Sequence, residues 1–212
     1  NARALILAAG LCEEAPGRGY EKLLYRYAGF LLGAQKENGR FRNFMGYDRC
    51  WLERDGSEDC QGRSCWGIAA ALVSPGVPLQ LKKMLGFLLA RALPNLRALG
   101  FVKSQAYALL GCSLLLAQGR EAAFSAGWAA ENGTKAEIVS WPQLQMTGAQ
   151  LAAQLQKAWQ ETDSKTWRWF ESSLTYSNAL VPWSLLLYGR AVKEAQWQSL
   201  GLAALDFLAG KT

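Results

Sequence analysis

Apolar residues recur at three-to-four spacing along most of this chain. Over residues 20–36, YEKLLYRYAGFLLGAQK, the positions Leu23, Leu24, Tyr27, Phe30, Leu31 and Ala34 share one helical stripe. Gly39 follows Asn38 just beyond it, which predicts a C-terminal stop. The same period predicts helices in the opening residues NARALILAAG and near 63–73, 79–93, 102–118, 119–131, 146–162, 176–191 and 194–209. Pro75, Gly76, Pro78, Pro94 and Gly119 punctuate these segments. No alternating strand pattern of any length interrupts them, so the expected fold class is all-α.

The predicted helices have two textures. Residues 66–73 (WGIAAALV), 105–117 (QAYALLGCSLLLA) and 179–188 (ALVPWSLLLY) are apolar nearly all round, whereas 20–36, 79–93 and 146–162 are amphipathic. A helix apolar on every side belongs inside, and an amphipathic one covers it. Their alternation predicts a double layer of helical hairpins within a single domain, 1–212, of irregular repeat length. Residues 132–145 fit neither texture and read as a long connection. The Asn132-Gly133-Thr134 triplet within it is a glycosylation sequon of the kind that also arises by chance.

Composition narrows the chemistry. Half of the 212 residues are apolar, yet no uninterrupted apolar run is long enough for a membrane span. The net charge of +6 is scattered, with no basic block of the kind that binds nucleic acid. Five cysteines (Cys12, Cys50, Cys60, Cys65, Cys112) include no CxxC pair, so they read as small buried thiols in a reducing, cytoplasmic setting. The chain has no histidine. That removes Ser-His-Asp and Cys-His catalysis and His-ligated metals together. No phosphate-cradling glycine motif occurs, so neither a cofactor nor a metal is expected. The chain starts without Met and without a signal pattern, which reads as an excerpt of a longer protein.

Two segments leading into the all-round apolar helices concentrate acids, aromatics and planar hydrogen-bonding groups. Residues 39–63 hold Arg42, Asn43, Asp48, Trp51, Glu58, Asp59 and Arg63, with Trp66 just beyond; residues 167–178 hold Trp167, Trp169, Glu171, Tyr176 and Asn178. A pyranose presents apolar C–H patches to an aromatic face and a rim of hydroxyls to polar groups. Glycosidic cleavage needs two carboxyl groups and no histidine. Simpler readings stand beside this one. Ser57, Glu58 and Asp59 also form a helix N-cap with acids at the positive end of the dipole. Glu171 would also pair with Arg168, and Arg63 with Asp59 or Asp48. Trp128, Trp159 and Trp197 lie at helical positions and read as core.

The runs FRNFMGYDRCWLERDGSEDCQGRSCWGIAAAL and WRWFESSLTYSNALVPWSLLLYG resemble bacterial glycosidase-like domains of the six-hairpin (α/α) toroid type, which occur attached to, or encoded beside, glycosyltransferases. The family pattern looks like N-F-M-x-Y-D-R-x-W, then S-E-D-x-x-G-R-x-x-W, then W-x-W-F-E-x-x-L-T-Y-x-N-A. Asn43, Phe44, Met45, Tyr47, Asp48, Arg49, Trp51, Ser57, Glu58, Asp59, Gly62, Arg63 and Trp66 match the first two elements. Trp167, Trp169, Phe170, Glu171, Leu174, Thr175, Tyr176, Asn178 and Ala179 match the third. The resemblance covers nearly the whole chain. It implies an (α/α) toroid, here incomplete, because a full ring of twelve helices needs more than about 300 residues. Family members continue with a Gly/Trp/Tyr-rich loop and a further acidic, glutamine-rich motif, neither of which follows Ala209. An incomplete ring implies an open apolar flank or pairing with a second copy.

The expected function is therefore a carbohydrate-active, glycoside hydrolase-like domain. Asp48, Asp59 and Glu171, and after them Glu58, are the acid and base candidates. Trp51, Trp66, Trp169 and Tyr176 are the expected stacking platforms, and Arg42, Asn43, Arg63 and Asn178 the clamps. The alternative is a non-catalytic sugar-binding or scaffolding module of a glycosyltransferase. A helical protein-interaction platform is a third reading.

Overall fold

The all-round apolar stretch 105–117 becomes the centre of the molecule. It lies in a helix, Val102–Gln118, that buries fourteen of its 17 residues. Each large aliphatic chain buried there, such as Leu109, contributes about 1.5–3 kcal/mol. The computed structural model describes residues 1–130 and 138–211. Among them the helices are α1 (Ala2–Glu14), α2 (Glu21–Ala34), α3 (Glu58–Val73), α4 (Leu79–Leu96), the central α5 (Val102–Gln118), α6 (Arg120–Ser125), α7 (Trp141–Thr162), α8 (Leu180–Val192) and α9 (Ala195–Ala209). One short parallel pair, β1 (Ala129–Ala130) with β2 (Val139–Ser140), brackets the undescribed residues. The fold is all-α. The predicted sequon lies outside the described residues.

Helices α1, α3, α5 and α8 pack in a row, each against the next. Helix α2 covers α1, α4 covers α3, α7 covers α5 and α9 covers α8, while α2 touches α4 and α4 touches α7. The covering helices bury one stripe each: Leu24, Ala28, Leu31 and Ala34 on α2, and Leu144, Leu151, Leu155 and Trp159 on α7. Trp159 and Trp197 are buried on α7 and α9 as their helical positions predict, and Trp128 is buried too, although it lies in the bend beyond α6 and not on a helix. On the row helices, Leu7, Trp183 and, beyond them on α9, Leu202 remain exposed. An open cleft of ≈ 730 Å³ runs along the row between Ile6, Ala9, Trp66, Val73, Leu114 and Leu187.

Several boundaries differ from the periodic pattern for local reasons. Helix α3 starts at Glu58 because Ser57 caps it, its side chain accepting from Cys60 N–H at 3.1 Å. Helix α7 starts at Trp141, since Pro142 sits in its first turn where no N–H is needed. Helix α4 runs through Pro94 to Leu96. Helix α6 ends at Ser125, far short of the predicted 131. Helix α2 ends at Ala34, so Gly39 is not its cap. With φ at 80°, Gly39 instead turns the chain past α4, where a Cβ would lie 1.9 Å from the Arg91 carbonyl oxygen. Cys12, Cys65 and Cys112 are buried free thiols as expected, and burial pushes Cys112 up to about 12; Cys50 is exposed.

Helices α3 and α5 approach closely at Gly62. A Cβ there would stand 2.5 Å from the Ser104 carbonyl oxygen and 3.0 Å from Tyr107 Cβ. Replacing helical Gly by Ala ordinarily gains about 1 kcal/mol. Gly29→Ala on exposed α2, where nothing lies within 4 Å of the new methyl, is expected to raise the melting temperature. Gly62→Ala is expected to lower stability by about 1–3 kcal/mol, because backbone must shift. Thermal melts of the two variants check the opposite signs.

Candidate functional site

The first turn of α3 carries two acids that face different neighbours. Glu58 Oε2 accepts from the backbone N–H groups of Gly100 (2.7 Å) and Phe101 (3.1 Å), directly before α5. It satisfies donors that the start of α5 would otherwise leave open. Asp59 is the hub of a larger cluster. Its Oδ2 accepts from Arg63 Nη2 at 2.8 Å and from Tyr176 Oη at 2.7 Å, and its Oδ1 accepts from Ser104 Oγ at 2.9 Å. The Arg63 bond is the i,i+4 pair that helical geometry brings together.

The segment before α8 arrives at the same place. Glu171 Oε2 accepts from Lys103 Nζ at 3.0 Å, and Lys103 is only 4% exposed. Lys103 also donates to Asn178 Oδ1 at 3.1 Å and lies 5.6 Å from the centre of the Trp169 ring. Asn178 in turn accepts from Thr175 N–H and donates to Thr175 O, which turns the chain into α8 and explains why that helix starts at Leu180 and not at 176. The two segments thus meet at the N-terminal ends of α3, α5 and α8. They enclose an open cleft of ≈ 440 Å³ lined by Glu58, Asp59, Phe101, Lys103, Ser104, Glu171 and Tyr176 among others.

The sequence-predicted residues divide by what the fold does with them. Asp59, Glu58, Glu171 and Tyr176 line this cleft together. Asp48 does not. Its Oδ1 accepts from Cys50 N–H at the exposed tip of the hairpin that Met45 and Trp51 close, next to Arg49 at φ 64°. Trp169 was expected as a stacking platform, and this is corrected: it is 0% exposed, packed against Phe170 and Phe207. Its large ring fills core beneath the cleft, where no ligand reaches it. Asn178 spends its amide on Lys103 and Thr175, so it positions the lysine and the turn. Trp51 packs edge-on to Phe30 beneath the Arg42 guanidinium. Trp66 stacks on Tyr107 and faces the long row cleft. Arg42, Asn43 and Arg63 line a second small cleft with Ser57. Glu171 pairs with Lys103, and Arg168 pairs with Asp163 at 3.5 Å.

Lys103, Ser104 and Phe101 lie outside the two segments that the sequence pattern singles out. The signal was present: Lys103 is the one charged residue in the apolar run of α5, and a lysine there needs a partner. Phe101 is 70% exposed at the cleft and offers a flat apolar face.

Among the described residues no group of three His, Cys, Asp or Glu side chains is placed to hold a metal ion, and no helix is long and apolar enough to cross a membrane. No protein-family model matches the chain, and no curated protein matches it either.

The bond to Asp59 holds the phenolic proton of Tyr176 and pushes that group up to about 12, with burial adding to the effect. An upward shift has one sign in linkage. The bond's contribution to stability is complete below the ordinary tyrosine value of about 10 and is lost as pH rises through about 12. In an alkaline absorbance titration, the difference between wild type and Tyr176→Phe is expected to show a component near 12. In an Asp59→Ala background that component is expected to move down towards the ordinary tyrosine value of about 10.

Proposed function

We propose that the cleft at the ends of α3, α5 and α8 binds a saccharide, and that the chain is a carbohydrate-active, glycoside hydrolase-like domain. One observation carries the reading: Asp59 and Glu171, 112 positions apart in sequence, line one cleft beside the exposed faces of Phe101 and Tyr176. Flat apolar faces next to carboxylates and hydroxyls match the two surfaces of a sugar ring. The row α1, α3, α5, α8, wrapped by α2, α4, α7 and α9, supports an (α/α) toroid with the saccharide at the mouth of its inner helices, in line with the resemblance.

In this reading Glu171 is the proton-transferring carboxyl. Lys103 occupies one of its oxygens, and the other has no partner among the described residues. Asp59 is the second carboxyl, acting on water or on the anomeric carbon. Ser104, Arg63 and Tyr176 hold it in one orientation. Glu58 serves α5 and takes no part in bond cleavage.

A second reading rests on the same contacts. Three donors on Asp59 occupy three of a carboxylate's roughly four acceptor positions. That favours a module that binds sugar without cleaving it, beside a glycosyltransferase.

Glycan-array binding and product analysis on wild type, Asp59→Asn and Glu171→Gln separate the two. Both amides keep an acceptor for their neighbours. Turnover by wild type that falls about 10²–10⁴-fold in Glu171→Gln, with binding retained, is the enzyme's outcome. Binding without turnover in wild type is the module's. Failure to bind any saccharide overturns both.

A further inference from the structure

Beside the cleft just described lies a second one of ≈ 150 Å³, between the start of α1, α2, the 42–43 loop and α3. Its polar lining includes Arg3, Arg42, Asn43, Ser57, Arg63 and Ser64, and no carboxylate lines it. Ser57 belongs to both clefts. We propose that this is an anion subsite: Arg42 and Arg63 receive a carboxylate or phosphate group carried by the saccharide whose ring occupies the neighbouring cleft. The proposal rests on the reading of that cleft as a sugar site and adds the charge class of the sugar.

The arginines are held for such a role. The Arg42 guanidinium carbon lies 4.9 Å from the centre of the Trp51 ring, and that of Arg63 lies 4.7 Å from Tyr107. Aromatic stacking of this kind orients the planar fork and leaves its N–H edges for a ligand. Arg42 has no acidic partner among the described residues, and its Nε is buried without a hydrogen bond. Arg63 Nε is in the same condition, although its Nη2 holds Asp59. A buried donor left unpaired costs free energy, and a guanidinium partly stripped of water binds an anion more strongly than one at the open surface. Asn43 and Ser64 add neutral hydrogen-bonding groups at the wall. The Arg63–Asp59 bond then ties the anion subsite to the carboxylate cluster, which sets the distance between a sugar's charged substituent and its ring.

The test is calorimetric titration of the full chain with matched ligands: a neutral oligosaccharide, its uronic-acid counterpart, its phosphorylated counterpart, and inorganic phosphate alone. One of the two charged saccharides is expected to bind at least about tenfold more tightly than the neutral one, and which of them does so identifies carboxylate or phosphate. Arg42→Gln is expected to abolish that preference while neutral binding persists, and Arg42→Lys to recover only part of it, since Lys lacks the fork. Circular dichroism melts confirm that the variants fold; if Arg42→Gln does not, Arg42→Lys against increasing salt gives the same comparison. Equal affinity for charged and neutral saccharides, or a preference unchanged in both variants, overturns the proposal. Inorganic phosphate bound by wild type and lost in Arg42→Gln upholds the subsite even where no saccharide binds, an outcome that overturns the sugar reading instead.

Discussion

The close approach of α3 to α5 governs the arrangement at the cleft. With hydrogen alone at Gly62, the two backbones come near enough for the first turn of α3 to reach the first turn of α5. Glu58 then closes on the Gly100 and Phe101 N–H groups, and Asp59 on the Ser104 hydroxyl. Two neighbouring acids, both apt for capping their own helix, are drawn into separate cross-helix bonds. Backbone contact therefore sets the spacing of the polar cluster.

Burial of Lys103 is the second constraint. A lysine inside the helical row is stable only with compensating partners, and it finds them in Glu171 and Asn178. Those partners sit on the segment before α8, so the need to neutralise one ammonium draws that segment over the start of α5. Tyr176 follows with it and closes on Asp59. The cleft is thus a by-product of charge pairing as much as of shape. A cluster assembled in this way holds its acids in fixed orientations, at the cost of engaging some of their oxygens.

Two adjoining clefts with opposite character result. One is lined by Glu58, Asp59 and Glu171, the other by Arg3, Arg42 and Arg63. Arg63 lines the basic cleft and bonds to Asp59 of the acidic one, so the charges are separated over a short distance without either side being left wholly unbalanced. Surfaces of opposite charge set side by side discriminate among partners by charge pattern.

Periodicity alone determined the all-α class, the inner place of 66–73, 105–117 and 179–188 and the covering role of 20–36, because burial on one or all sides imprints the pattern of apolar residues directly. That 105–117 is the middle of the row was decided by packing. The same logic identified Trp159 and Trp197 as core; Trp128 is core as well, although the helix expected to carry it ends at Ser125. The sequence also marked the two segments from which the candidate site is built, through their unusual mixture of acids and aromatics. What it could not separate was which aromatic is floor and which is surface: Trp169 and Tyr176 sit in the same short segment, yet one is sealed in the core and the other opens to solvent. Nor could it separate Asp48, spent on a hairpin tip, from Asp59, held in the cluster. Those assignments depend on contacts with Lys103, Ser104 and Phe207, residues far away along the chain. Spacing within a segment records helical phase. Partners contributed by other helices are decided only when the helices pack.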